Sequence, residues 1–364
     1  MPWTRDKDNS VAPPRNYGAL ESAPDPQMLR AFKRASRGSE LESIAGRDLR
    51  QALPVAIFMA VLALATIPVQ FVLLAGIFVG PIFTRVIAGV LAALVGRILL
   101  FFWEIFRRDV VSAAPWKTWF RLSAFAEQNE IVFHPRITNP RYAGTIFNQG
   151  EARRSFNVMR FDRSRHVEIG NFRYVGDIGP RQVPEWGYLA IRLDRKVPNM
   201  VMQSRLNQKL FGTRLPVTFT KHQVLPLEGD FGQYFTLYAP IAYERDALYV
   251  FTPDLMALLI DETAVFDVEV VDDWMFVYSH KPFDMLSPLT YERADRIVET
   301  LGAKTLRQTR RYADDRLDGP AIDAIAAPGR RLRTPVSRVL VAGVAVYGLA
   351  IVCGVIAGIA QAST

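Results

Sequence analysis

Cysteine is almost missing from this chain. Cys353 is the only one, so no disulfide can form within the chain, and nothing in the cysteine usage points to an oxidising compartment. Histidine is scarce as well. His134, His166, His222 and His280 are scattered, without the spacing of a metal-ligand set. Three signatures of catalysis or nucleotide binding are also absent: the nucleophile elbow G-x-S-x-G, the phosphate loop G-x-x-x-x-G-K-S/T, and the dinucleotide turn G-x-G-x-x-G. The first 50 residues hold no apolar signal core, so no cleaved leader is expected. No internal repeat is visible, and no nucleic-acid recognition motif accompanies the net charge of +8.

Long apolar runs are what the chain does have. Two lie back to back within Leu53–Phe106, and a third is Val339–Ala360. A hydrocarbon core takes about 20 apolar residues per helix. The runs therefore predict a transmembrane hairpin over 51–106, with helices near 53–79 and 86–106 around a turn at Gly80–Pro81. They also predict a C-terminal transmembrane helix over 336–361. Pro68 would kink the first helix. Arg97 falls inside the second. Its side chain is expected to snorkel toward the headgroups, since Glu104 shares its face but lies nearer the surface. Basic residues collect beside the runs: Arg47 and Arg50, Arg107 and Arg108, then Arg330, Arg331, Arg333 and Arg338. Such flanks read as membrane-interface anchors on the cytoplasmic side. The expected setting is a bacterial plasma membrane, with the N-terminus and central domain inside and Gln361–Thr364 outside. Small residues recur every four positions (Ala88, Ala92, Gly96; Ala350, Gly354, Gly358) and suit close helix packing within one chain, or a homo-oligomer.

Between the runs, residues 107–317 read as an α+β cytoplasmic domain built on an antiparallel sheet, of one lobe or two. Residues 1–50 read as a cytoplasmic tail. It is disordered to about residue 26, and Gln27–Gly46 then has helical composition, with Arg30, Lys33, Arg34 and Arg37 on a basic side that suits an anionic membrane surface. Trp116–Gln128 has helical spacing. Strands are predicted at 131–137, 155–161, 166–175, 187–193, 200–205, 217–221, 234–238 and 249–251 from β-branched and aromatic content. Val265–Val271 and Trp274–Tyr278 read as two strands of a tight hairpin turning at Asp272-Asp273. Thr252-Pro253-Asp254 is a helix start. Ser287-Pro288 opens an amphipathic helix predicted to run to Leu317, with Tyr291, Ala294, Ile297, Val298 and Leu301 as its buried stripe. Residues 318–335, proline-bearing, read as a linker back to the membrane.

Two constellations could carry chemistry. His166-x-Glu168 on a strand puts an imidazole and a carboxylate on one face, a pair that suits zinc or manganese if a third ligand joins. Glu228 and Asp230 flank Gly229, with His222 nearby in sequence; two acids in split environments could divide acid and base roles. Each has a plainer reading, as an exposed strand face and a solvated turn. No cofactor is expected.

Several segments in order, EIGNFRY (Glu168–Tyr174), WGYLAIRL (Trp186–Leu193), LEGDFGQYFTLYAP (Leu227–Pro240), DALYVFTPDLMALLID (Asp246–Asp261) and FDVEVVDDWMFVY (Phe266–Tyr278), resemble a group of uncharacterised actinobacterial membrane proteins. The resemblance implies the same architecture, helix hairpin, cytoplasmic domain and C-terminal helix, and carries no activity with it. The sequence thus favours a membrane-anchored binding or scaffold domain with a protein or small-ligand partner and anionic lipid at its flanks. The alternatives are a membrane-bound hydrolase or transferase using Glu228, Asp230 and His222, and a transporter or channel component.

Overall fold

The computed structural model describes residues 15–46, 50, 53–54, 57, 61, 81–106, 115–162, 166–176, 183–206, 215–217, 219–226, 230–310, 312–316 and 323–333. The predicted C-terminal helix and most of the predicted first membrane helix lie outside these residues. The chain divides into two compact units, Pro13–Arg136 and Ile137–Thr364. The division places the helix Trp116–Gln128 with the N-terminal unit.

In the N-terminal unit, α1 (Gly18–Glu21), α2 (Pro26–Ala35), a helical stretch at 40–46, α3 (Ile82–Phe106) and α4 (Trp116–Gln128) follow in order. The stripe Trp119, Leu122, Phe125 and Ala126 buries one side of α4, as helical spacing requires. The residues before α2 are not a free tail. Leu20 is fully buried, Tyr17 stacks on Phe125 at 6.0 Å, and the Asn16 amide donates to Asn129 Oδ1 at 2.8 Å. Residues 15–26 are therefore ordered, because Leu20 and the Asn129 carboxamide give them somewhere to go. Helix α3 starts directly after Pro81, four residues earlier than the sequence suggested. Its 25 residues make a rod about 37 Å long. Among the described residues no helix is long and apolar enough to cross a membrane; these omit 62–80, the C-terminal run, and the α3 side chains at 83–85, 88, 98–99 and 101–106.

The fold is α+β with a seven-stranded antiparallel sheet. Its strands are β1 (Val132–Thr138), β2 (Glu151–Asp162), β3 (His166–Val175), β4 (Glu185–Ser204), β5 (Val224–Leu225), β6 (Phe235–Tyr238) and β7 (Asp267–Ser279). The order is β1-β2-β3-β4-β6-β5, with β7 paired along the other edge of β4. β4 is the axis of this sheet. The sequence divides it at Asp194–Pro198, yet it is one strand of 20 residues. Its register against β7 slips between Arg192 and Val197 and again between Val197 and Met200. Pro198 sits in that irregular stretch, where a missing ladder donor costs little.

β7 is likewise one strand, not two. Its 13 residues would span about 43 Å if straight. Instead Asp267 Oδ2 lies 2.8 Å from His280 Nε2, and the Tyr278 hydroxyl donates to Glu269 at 2.8 Å. The strand therefore folds back on itself, and Asp272, with φ of 51°, marks the corner. The turn signal in Asp272-Asp273 is real, but the halves meet through side chains and not through a hairpin ladder; both keep their ladder to β4 instead. The enclosed core holds Phe147, Phe172, Tyr188, Val201, Val271, Phe276 and Tyr278. A 3-10 turn, Thr145–Asn148, plugs into it behind Gly144. A β-carbon on Gly144 would overlap the Tyr278 hydroxyl and meet the Phe276 ring at 3.0 Å. Gly144→Ala is expected to cost about 1–3 kcal/mol through overpacking, read as a lowered thermal midpoint.

Helices α5 (Glu244–Val250), α6 (Pro253–Thr263) and α7 (Pro288–Ile297) follow or flank β7. α5 replaces the strand predicted at 249–251: Ala247 and Val250 are buried at a spacing of three, and that helical side overrides the β propensity of Tyr249 and Phe251. The segment predicted as a strand at 217–221 ends in a 3-10 turn, Lys221–Gln223. α7 stops well short of Leu317. A π turn, Val298–Gly302, interrupts it, and a helix resumes at Ala303–Thr309. Gly302 allows this close approach, since a β-carbon there would lie 3.2 Å from Ile191.

The predicted linker is partly a strap. Asp314 accepts from the Tyr243 hydroxyl at 2.6 Å and the Ala326 amide at 2.9 Å, while Ile325 and Leu332 are buried. The Leu332 amide donates to Asn199 Oδ1 at 3.0 Å. Residues 323–333 thus belong to the domain, because Ile325 and Leu332 are buried there and the Ala326 and Leu332 amides find partners.

Candidate functional site

Antiparallel register builds a buried polar centre from three strands. Arg160 of β2 lies directly across from Glu168 of β3, and Tyr188 of β4 sits on the same face beside it. The Glu168 carboxylate is fully buried. Arg160 donates to its Oε2 through Nε at 3.1 Å and Nη2 at 2.8 Å, and the Tyr188 hydroxyl donates to Oε1 at 2.6 Å. Tyr142 completes the shell against both Glu168 and Arg160. Burial, then the Glu168 charge, pushes both tyrosines far above the ordinary phenol range. They stay protonated, held as hydrogen-bond donors, and are poor acids. Burial works against the Arg160 charge, but the Glu168 hydrogen bond and charge more than offset it, so its pKa is raised.

The rim of this centre is open. Arg160 and His166 side chains are 27% and 29% exposed. His166 meets Trp274 edge-on at 5.5 Å, Tyr142 meets the same indole at 5.1 Å, and Arg192 lies 4.9 Å over it while pairing with Asp273. Stacked guanidinium and indole of this kind favour binding planar or anionic groups. The carboxylate beneath is already engaged.

The structure brings the predicted pair His166 and Glu168 within 3.9 Å of each other. No third ligand joins them: among the described residues no group of three His, Cys, Asp or Glu could hold a metal. Arg160 and Tyr188 occupy the lone pairs a metal would need. His222 lies exposed in the turn Lys221–Gln223, Asp230 is exposed just before the helical turn Phe231–Tyr234, and Glu228 lies outside the described residues. Of the predicted interface arginines, Arg50 is exposed, while Arg47, Arg107, Arg108 and Arg338 lie outside the described residues. Arg331 reaches Asp272 at 3.1 Å, Arg330 donates to the Ile325 carbonyl, and the Arg333 backbone pairs with Gln223. All three flank the third run; Arg331 and Arg333 also tie the strap to the domain, and Arg330 closes a contact within it.

Two buried acids escaped the sequence reading. Glu269 accepts from the Thr145 amide and Tyr278 at one oxygen, and from Thr145 Oγ1 and Asn199 at the other. Asp267 accepts the Ser204 amide at 2.7 Å and faces His280, whose ring packs at a tilt against Trp186 at 4.3 Å. Alternation in Asp267-Val-Glu269-Val-Val reads as a strand with a polar face, and only the partners brought by other elements show that these acids are inward and paired.

A separate groove of about 490 Å³ lies within the N-terminal unit, between Ser39–Leu41, Glu127 and Phe133. It is shallow and open to solvent, and lacks the convergent buried polar groups of the Glu168 centre. No protein-family model, curated protein or solved structure matches the chain.

Proposed function

We propose that the chain is a membrane-anchored protein of a bacterial plasma membrane whose central α+β domain is a cytoplasmic binding or scaffold module. The observation that carries the anchor is α3. At 100° per residue its exposed aliphatic side chains, Ile82, Val86, Ile87, Val90, Leu91, Leu94 and Leu100, cover half its circumference. Leu53, Ile57 and Val61 add a second exposed stripe at four-residue spacing. Apolar surface on this scale is costly in water, and the α3 rod of about 37 Å exceeds a hydrocarbon core of about 30 Å. Arg97, exposed among these aliphatics, suits a snorkelling side chain. The arginine flanks favour the cytoplasmic side for the domain.

The binding role is supported by how the acids are used. Glu168, Glu269 and Asp267 each serve internal donors, which leaves the Trp274 rim as a surface for recognition. Membership of the actinobacterial group, with its hairpin and C-terminal helix, is part of the same proposal. Expressed full-length chain is expected to stay in the pellet when membranes are washed with alkaline carbonate and then urea. Release of the chain into the supernatant would sink the anchor.

A further inference from the structure

We infer that α2 is the surface on which this protein reads anionic lipid headgroups, an inference that rests on the membrane anchor proposed above. α2 is fixed by one side only. Asp25 caps it by accepting the Gln27 amide at 3.2 Å, and Pro26 occupies its first turn. Leu29 and Phe32 are half-buried, and the Phe32 ring meets Trp116 and Phe120 edge-on at 6.2 and 5.4 Å. With that side held on α4, helical geometry turns Arg30 and Arg34 to the opposite side, and Arg37 follows in the next turn. Arg30, Lys33, Arg34 and Arg37 are all exposed.

Nothing within the helix balances these charges. Pro26–Ala35 contains no acidic residue, and Arg30, Arg34 and Arg37 have no acidic partner among the described residues. Just past the turn, Glu42 accepts the Gly38 amide at 2.7 Å. Arg30 and Arg34 are like charges four residues apart in the helix, a spacing that repels, while the Lys33 ammonium lies 5.7 Å over the Trp116 ring. A surface of negative headgroups would relieve that repulsion and gain an attraction at each cation. The leash fits. Leu53, where the first apolar run begins, follows Arg37 by sixteen residues, part of them helical at 40–46. That bounds the separation of the stripe from the bilayer to about 40 Å.

The test uses the full chain with Cys353→Ser and Ala31→Cys, the new thiol carrying an environment-sensitive fluorophore. The protein is placed in nanodiscs of phosphatidylcholine alone, or with about 30% phosphatidylglycerol, a charge density that gives a marked surface potential. A blue shift is expected only in the anionic discs, and about 0.5 M salt should reverse it by screening. Arg30→Glu with Arg34→Glu should abolish the shift, whereas Arg30→Lys with Arg34→Lys should keep it, which controls for folding. Each cation replaced by glutamine should weaken the response about fivefold. The same emission in both kinds of disc, or a shift that survives charge reversal, would overturn the inference. So would a single-stranded RNA that shifts the probe in neutral discs, because the stripe would then be a nucleic-acid surface. A chain that never enters the discs refutes the anchor itself; one that enters with a blind probe refutes only the role of α2.

Discussion

Arg160→Met is expected to lower stability by about 3–5 kcal/mol, among the largest effects any single substitution in the domain should produce. The reason is what it leaves behind. Glu168 is fully buried and keeps only the Tyr188 and Tyr142 hydroxyls, with His166 at 3.9 Å, once the two guanidinium contacts are gone. A buried carboxylate without its counter-charge carries the full cost of desolvation. Tyr188→Phe should cost less, about 1–2 kcal/mol, since the Arg160 pair stays intact. The informative variant removes the ion pair and its closest hydroxyl at once: Arg160→Met, Glu168→Leu and Tyr188→Phe together. Buried ion pairs replaced as a set by apolar groups often regain most of the loss. The triple variant should therefore unfold within about 2 kcal/mol of the wild type by urea titration. If it is as unstable as Arg160→Met alone, the polar centre holds the sheet together and its exposed rim is incidental. If it folds well, stability does not explain why Glu168 is there, and recognition at the Trp274 rim becomes the reason to keep it.

The parts of this molecule that the sequence showed are those whose signals are local. Trp116–Gln128 was legible to its last residue because its buried positions repeat at helical spacing. β3 was legible because its β-branched and aromatic run is bounded by charge at both ends. The sheet axis was not. β4 passes through Asp194, Arg195, Lys196 and Pro198, residues that normally end a strand. Only its long partner, itself folded at Asp272, shows why the ladder continues beyond them. The strap at 323–333 was invisible for a related reason: Ile325 and Leu332 are single apolar residues in a proline-bearing stretch, and their setting, the core cluster around Leu332 and Tyr243 close against Gly329, lies far away in sequence. At the candidate site, alternation placed His166 and Glu168 on one face. Arg160, Tyr188 and Tyr142 arrive from other strands and a loop, and no spacing rule connects them.

Glu269 provides a test in which two physical effects oppose each other. Burial raises its pKa above the ordinary value of 4.5, while donors from Thr145, Tyr278 and Asn199 pull it down; burial prevails. A carboxyl whose pKa is raised on folding holds its proton more tightly in the native state. Its contribution to stability is then complete below about pH 4.5 and declines as pH rises through the folded value. Each tenfold gain in proton affinity is worth about 1.4 kcal/mol of that decline. Glu269→Gln removes the titration. It also leaves one N–H unpaired, because a carboxamide nitrogen placed at either oxygen position faces a donor, the Thr145 amide or the Asn199 amide group. The substitution should cost about 1–3 kcal/mol at acid pH. The wild-type advantage should then shrink as pH rises from 5 to 8 in urea titrations of both proteins. An advantage that instead grows over this interval would mean the four donors outweigh burial, so that the carboxylate is stabilised in its charged form. The clasp between the two halves of β7 would then be a charge-assisted one, which strengthens toward neutral pH and opens in acid.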